Sequence, residues 1–186
     1  MNTRLKKVLV TGLVVLGVGC WGSKAHAAST DTITVSVTPN ASYGVTISSP
    51  YASGYNFGTV NLNSTTESTL AITLTNSGTI YEFFAISVTN TSGGWTASAV
   101  APTTDTFRLS GMFNATQPAI GSASFSALTN APPTNGNGSY GQVAKTSPTG
   151  GSNTQNLWLK LEMPFTLNTG GTTAQTMTVS VTGQAS

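Results

Sequence analysis

In the stretch LWLKLEM, residues 157–163, apolar and polar side chains alternate without a break: Leu157, Leu159, Leu161 and Met163 fall on one side of an extended chain, and Trp158, Lys160 and Glu162 on the other. Successive side chains of a strand point to opposite faces, whereas a helix would spread these leucines around its circumference. The stretch is therefore read as a strand with one core-facing side. Pro164, Asn168, Gly170 and Gly171 follow, and then Met177, Val179 and Val181 alternate with threonine and serine. Chain-reversing residues between two alternating runs predict a terminal β-hairpin.

The same two-residue period recurs upstream. Ile33, Val35 and Val37 form a first alternating set that ends at Pro39, where the missing N–H would interrupt a ladder. Tyr43, Val45 and Ile47 form a second, and residues 55–62 (YNFGTVNL) a third, with Gly58 marking a bulge or a close backbone approach. A fourth runs through Leu70, Ile72 and Leu74, a fifth over residues 81–88, and a sixth through Phe107, Leu109 and Phe113. With the hairpin this makes about eight strands separated by turn signals and no helical period, which predicts an all-β sandwich or barrel. Residues 114–156 are rich in Gly, Pro, Ser and Asn, with Phe125, Leu128, Tyr140 and Val143 as scattered apolar anchors. So long a loop is uncommon inside a domain, so short extra strands are expected around Phe125 and Tyr140.

The first 27 residues have the pattern of a secretory signal. Arg4, Lys6 and Lys7 precede an apolar run from Val8 to Val18, and Ala25-His26-Ala27 supplies the small residues of a cleavage site. The run is too short to cross a bilayer, which takes about 20 apolar residues. Cleavage after Ala27 is expected; a lipid anchor on Cys20 is the disfavoured alternative, because Gly17 stands where lipoprotein signals usually carry leucine. The expected mature chain, residues 28–186, is a single domain.

Export changes the chemistry available. Of seven Lys and Arg, only Arg108, Lys145 and Lys160 remain, against the five acids Asp31, Glu67, Glu82, Asp105 and Glu162, a net charge of −2. No cationic cluster is left for nucleic acid. The sole histidine, His26, and the sole cysteine, Cys20, both leave with the signal. The mature chain then lacks His and Cys metal ligands, nucleophile–histidine pairs and disulfides, and no cofactor is implied. Glu82 lies in phase with Phe84 and Ile86 and is the one acid placed for an apolar environment, accounted for by a sandwich-edge position or by a partner such as Arg108. Glycoside hydrolysis needs two close carboxylates, and the chain has few titratable groups to offer, so no enzymatic activity is expected.

The run NFGTVNLNSTTESTLAITLTNSGT, residues 56–79, resembles the F-G-x-V, Ser/Thr-rich turn and L-T-N-x-G pattern of immunoglobulin-like domains of the abnormal-spindle and choice-of-anchor type, found in secreted bacterial proteins. Gly93-Gly94-Trp95-Thr96 is similar to the Gly-Trp segment of WxL cell-wall-binding domains, although Trp158-Leu159-Lys160 differs from their Trp-x-Leu motif. Both resemblances imply an Ig-like sandwich and an extracellular or cell-surface role; with the strands read above, the expected fold is an Ig-like antiparallel β-sandwich of about eight strands, residues 114–156 forming a long insertion before the hairpin. Neither implies catalytic residues.

Three features are candidates for function. Trp158, Lys160 and Glu162 lie opposite the leucines: an exposed ring beside charges could stack on a glycan or another protein, or residues 114–156 could cover it. Trp95 either lines a binding loop or pins the core. Finally, TITVSVT at 32–38 and TMTVSVT at 176–182 differ only in Ile33 against Met177. Strands of the same alternation fit equivalent grooves, so Ile33, Val35 and Val37 either close their own sheet or pair with another subunit. The expectation is a secreted structural or adhesive protein that binds copies of itself or other surface proteins, with a carbohydrate-binding module as the alternative.

Overall fold

The alternating stretch, up to Glu162, lies in strand β8 (Thr154–Glu162), with Met163 just beyond its end, and both edges of that strand are occupied. The computed structural model describes residues 33–90, 93–122, 124–129, 140, 145–168 and 174–185. The expected export segment, with Cys20 and the cleavage site, lies outside the described residues, as do Asp31, Val143, Gly170 and Gly171. The fold is all-β. The strands of the described residues are β1 (Val45–Ile47), β2 (Thr65–Glu67), β3 (Ile72–Asn76), β4 (Phe83–Asn90), β5 (Thr96–Ala97), β6 (Thr106–Phe113), β7 (Ser126–Ala127), β8 and β9 (Met177–Gln184), with one turn of 3-10 helix at Tyr51–Ser53.

Contacts divide the chain into two units, Met1–Pro39 and Asn40–Ser186. In the first, residues 33–39 belong to no strand or helix, and Ile33, Val35 and Val37 are 88%, 81% and 87% exposed. The expected first strand is thus not formed. In the second unit a curled, mixed seven-stranded sheet runs β1-β3-β8-β6-β5, with β2 also on β8 and β7 also on β6; a separate two-stranded sheet joins β4 to β9. All pairings are antiparallel except β5 with β6.

Register explains the core. Leu157 stands opposite Ile72 on β3 and Phe113 on β6, and Leu161 opposite Leu109, so the leucines of β8 share one face with their neighbours. Phe84, Ile86 and Val88 of β4 come from the other sheet and are fully buried in the same cluster. The Phe84 and Phe113 rings sit 6.2 Å apart. Opposite Leu159 stands Gly111, where a Cβ would lie 3.3–3.5 Å from Leu128, Leu157 and Ile86. Glycine lets the facing side chains approach at that point.

Two further expectations are corrected. Strands β8 and β9 do not form a hairpin: β6 occupies one edge of β8 and β3 with β2 the other, so β9 pairs with β4 over eight residues instead. The turn signals mark a change of sheet. Residues 55–62 alternate but are not a strand, because Gly58 takes a left-handed φ of 74° and its N–H is held by the Asn56 side chain. Tyr51, Tyr55 and Phe57 pack ring against ring, with centroids 5.2 and 5.0 Å apart, and are packed against the core. The insertion does carry a short strand beside Phe125, namely β7, and Tyr140 is buried with its hydroxyl donating to the Ile86 carbonyl at 3.1 Å. Among the described residues no helix is long and apolar enough to cross a membrane.

Candidate functional site

The outward face of β8 is covered. Trp158 is 6% exposed, and its Nε1 donates to the Asn114 carbonyl at 3.0 Å. Lys160 holds its Nζ 5.2 Å from the centre of the Phe125 ring and 3.8 Å from Glu162, whose carboxylate also takes Arg108 at 2.5 Å. Residues from the 114–156 segment therefore lie over this face, and the trio is brought together as packing. Trp95 is 8% exposed and belongs to the core cluster. Neither indole presents a bare ring to solvent.

The edge of β9 is only partly closed. Its pattern puts Met177, Val179 and Val181 half-buried against the core, while Thr178, Ser180 and Thr182 are exposed. Directly opposite residues of paired strands share a face, so Val179 and Val181 lie beside Val88 and Ile86. The two valines of β9 stay half-open where Ile86 and Val88 are fully buried. Burial falls off across one pair of strands because β4 is flanked on its other side, by a hydrogen bond from Val88 N to Thr129 O and a bridge from Glu82 to Thr146. Beyond β9, among the described residues, no strand follows and no main-chain hydrogen bond is made. β1 ends the larger sheet, with Val45 and Ile47 also half-buried against the core. β1 and β9 come close without pairing.

Glu82 sits where they meet. Its side chain is fully buried, Oε2 accepts the Gly44 N–H at 3.1 Å, and Oε1 has no partner among the described residues. A Cβ on Gly183 of β9 would collide with this carboxylate, so glycine is what makes room for it. The neighbouring Gln184 Oε1 is likewise buried without a partner among the described residues. Burial pushes the Glu82 carboxyl above its ordinary range, and the Gly44 N–H partly offsets the shift. Arg108, the partner suggested by the sequence, is taken by Glu162 instead. Phase with Phe84 and Ile86 was enough to place Glu82 in the interior, but the role of Gly44 and Gly183 had no signal in the sequence, since neither glycine stands in a recognisable turn.

Among the described residues no group of three or more His, Cys, Asp or Glu side chains is placed to hold a metal ion. The site is thus an edge of unpaired main chain with a half-open apolar face and one buried carboxyl at its end. What such an arrangement can do is accept another strand: main-chain N–H and C=O groups give attachment, and alternating apolar positions give register. No protein-family model, curated protein or solved structure matches the chain.

Proposed function

We propose that this chain is a non-enzymatic structural or adhesive protein of the cell surface or extracellular space, built as an Ig-like sandwich and assembling with copies of itself into a surface layer or appendage. The observation that carries this reading is the state of residues 33–37. Ile33, Val35 and Val37 repeat the alternation of β9 in a segment outside every strand, with each apolar side chain more than 80% exposed. Burying one such side chain is worth roughly 1.5–3 kcal/mol, so three in register are a substantial drive toward any apolar edge. Scattered exposed apolar residues are ordinary, but three in strict alternation on a single unpaired segment are an unused strand face.

The signal-like residues 1–27 support export, and the Ser/Thr/Asn-rich composition supports an extracellular setting, in which main-chain pairing rather than charge is the means of attachment. The run at 56–79 supports the immunoglobulin-like domain type. Carbohydrate binding through Trp158 or Trp95 finds no support, because both rings are inside. Size-exclusion chromatography of the intact chain and of a chain lacking residues 31–39 tests the proposal: the intact protein should associate and the shortened one should not. Equal association of the two would sink it.

A further inference from the structure

The docking edge for this segment can be named, and the inference rests on the assembly reading above. We propose that residues 32–38 of one copy add as a strand to the outer edge of β9 in a second copy, placing Ile33, Val35 and Val37 over the half-open core beside Met177, Val179 and Val181.

Three independent observations select this edge. The occupant and the strand it would flank are nearly the same sequence, TITVSVT and TMTVSVT, so their apolar residues have equal spacing and similar size. A strand laid against β9 meets alternating half-buried Met177, Val179 and Val181 and places its own apolar residues on the same face, as in any regular sheet. The edge itself is chemically unfinished. Among the described residues its outer main-chain groups make no hydrogen bond, and an entering strand supplies the missing ladder. The occupant is uncharged over residues 32–38, which suits the alternating apolar face of β9.

Other edges fit less well. The far end of the larger sheet is β5, two residues long, with Thr96 exposed, and it offers no alternating apolar face. The edge of β1 is three residues long, too short for a seven-residue occupant. β9 is the free edge of the described residues that matches a seven-residue occupant in length.

Cysteine pairing tests this in the full chain. With Cys20→Ser as background the protein has no thiol, and directly opposite residues in adjacent strands lie close enough for a disulfide. One sample carries Val35→Cys, a second Val179→Cys and a third Thr96→Cys as the competing edge. Samples one and two, or one and three, are mixed at assembling concentration and mildly oxidised. A second pair, Ser36→Cys with Ser180→Cys, uses side chains on the exposed face and leaves the core intact should Val179→Cys fold poorly. The expected result is a 35–179 or 36–180 disulfide between chains, formed at least tenfold faster than 35–96. Assembly with the 35–96 bond preferred, or with neither the 35–179 nor the 36–180 bond formed, overturns this docking edge while leaving self-association standing. A doubly substituted single chain, Val35→Cys with Val179→Cys, that closes only within itself overturns exchange between copies. An intact protein that stays monomeric overturns the assembly reading as well.

Discussion

Substituting Val35 separates the two roles an exposed apolar residue can have. Val35 is 81% exposed, so neither Val35→Ala nor Val35→Asp removes a buried side chain. Surface changes of this kind stay within about 0.5 kcal/mol, which for a domain of this size is about 2 °C or less in Tm. Association is a different matter. If Val35 is buried when the segment docks, Val35→Ala deletes two methyl groups at ~0.8 kcal/mol each, or about 15-fold in the dissociation constant. Val35→Asp also buries a carboxylate without a cationic partner, and several kcal/mol of desolvation raises the loss beyond about a hundredfold. Sedimentation velocity over a dilution series reads the association, and circular dichroism melting reads the fold. Wild-type association by Val35→Asp would refute the reasoning, and so would a melting temperature that drops as far as that of a core variant.

Three further outcomes follow from the same geometry. Leu157→Ala opens a cavity at a residue 1% exposed on the central strand, which should cost about 2–5 kcal/mol and lower Tm by roughly 4–20 °C; a change under 2 °C would contradict the placement of β8. Glu82 has a folded-state pKa raised above its ordinary 4.5, so the folded protein favours the neutral acid and loses stability as pH rises through the raised value. Glu82→Gln should therefore raise Tm at pH 7 to 8, change it little near pH 4, and flatten the profile, and a wild-type profile that climbs steadily from pH 5 to 8 relative to the variant would reverse that sign. Gly183→Ala sets a methyl group on the Glu82 carboxylate and should cost about 1–3 kcal/mol in chemical denaturation, with a smaller cost in a Glu82→Ala background; an equal cost in both backgrounds would show that the two residues do not meet.

The extent to which these features could be read beforehand differs from element to element. Period-two alternation placed β8, β6, β3 and β4 because each has a face committed to the core, and burial of alternate residues leaves a direct trace in composition. It failed at residues 55–62, where alternation served ring packing of Tyr55 and Phe57 and a positive φ at Gly58 excluded a ladder. The hairpin expectation failed for another reason. Pro164, Asn168 and the glycines report that the chain turns, but the strand that β9 joins is decided by which edges are already filled, a property of the whole sheet. Residues 33–37 show the same limit from the other side: their pattern announces a strand, yet a strand exists only where an edge is offered. Trp158 could be assigned to a face but not to an environment, since its cover comes from Asn114, more than forty residues away.

The central claim is that residues 33–37 are a strand waiting for a second copy. Amide hydrogen exchange of these five residues, followed from dilute to concentrated protein, tests it most directly. Rapid exchange in dilute solution that slows as concentration rises, together with protection of amides along β9, is the predicted result. Protection that is already complete in dilute solution and independent of concentration would place the strand within its own fold. Rapid exchange at every concentration would leave the segment without a partner, and either outcome contradicts the account.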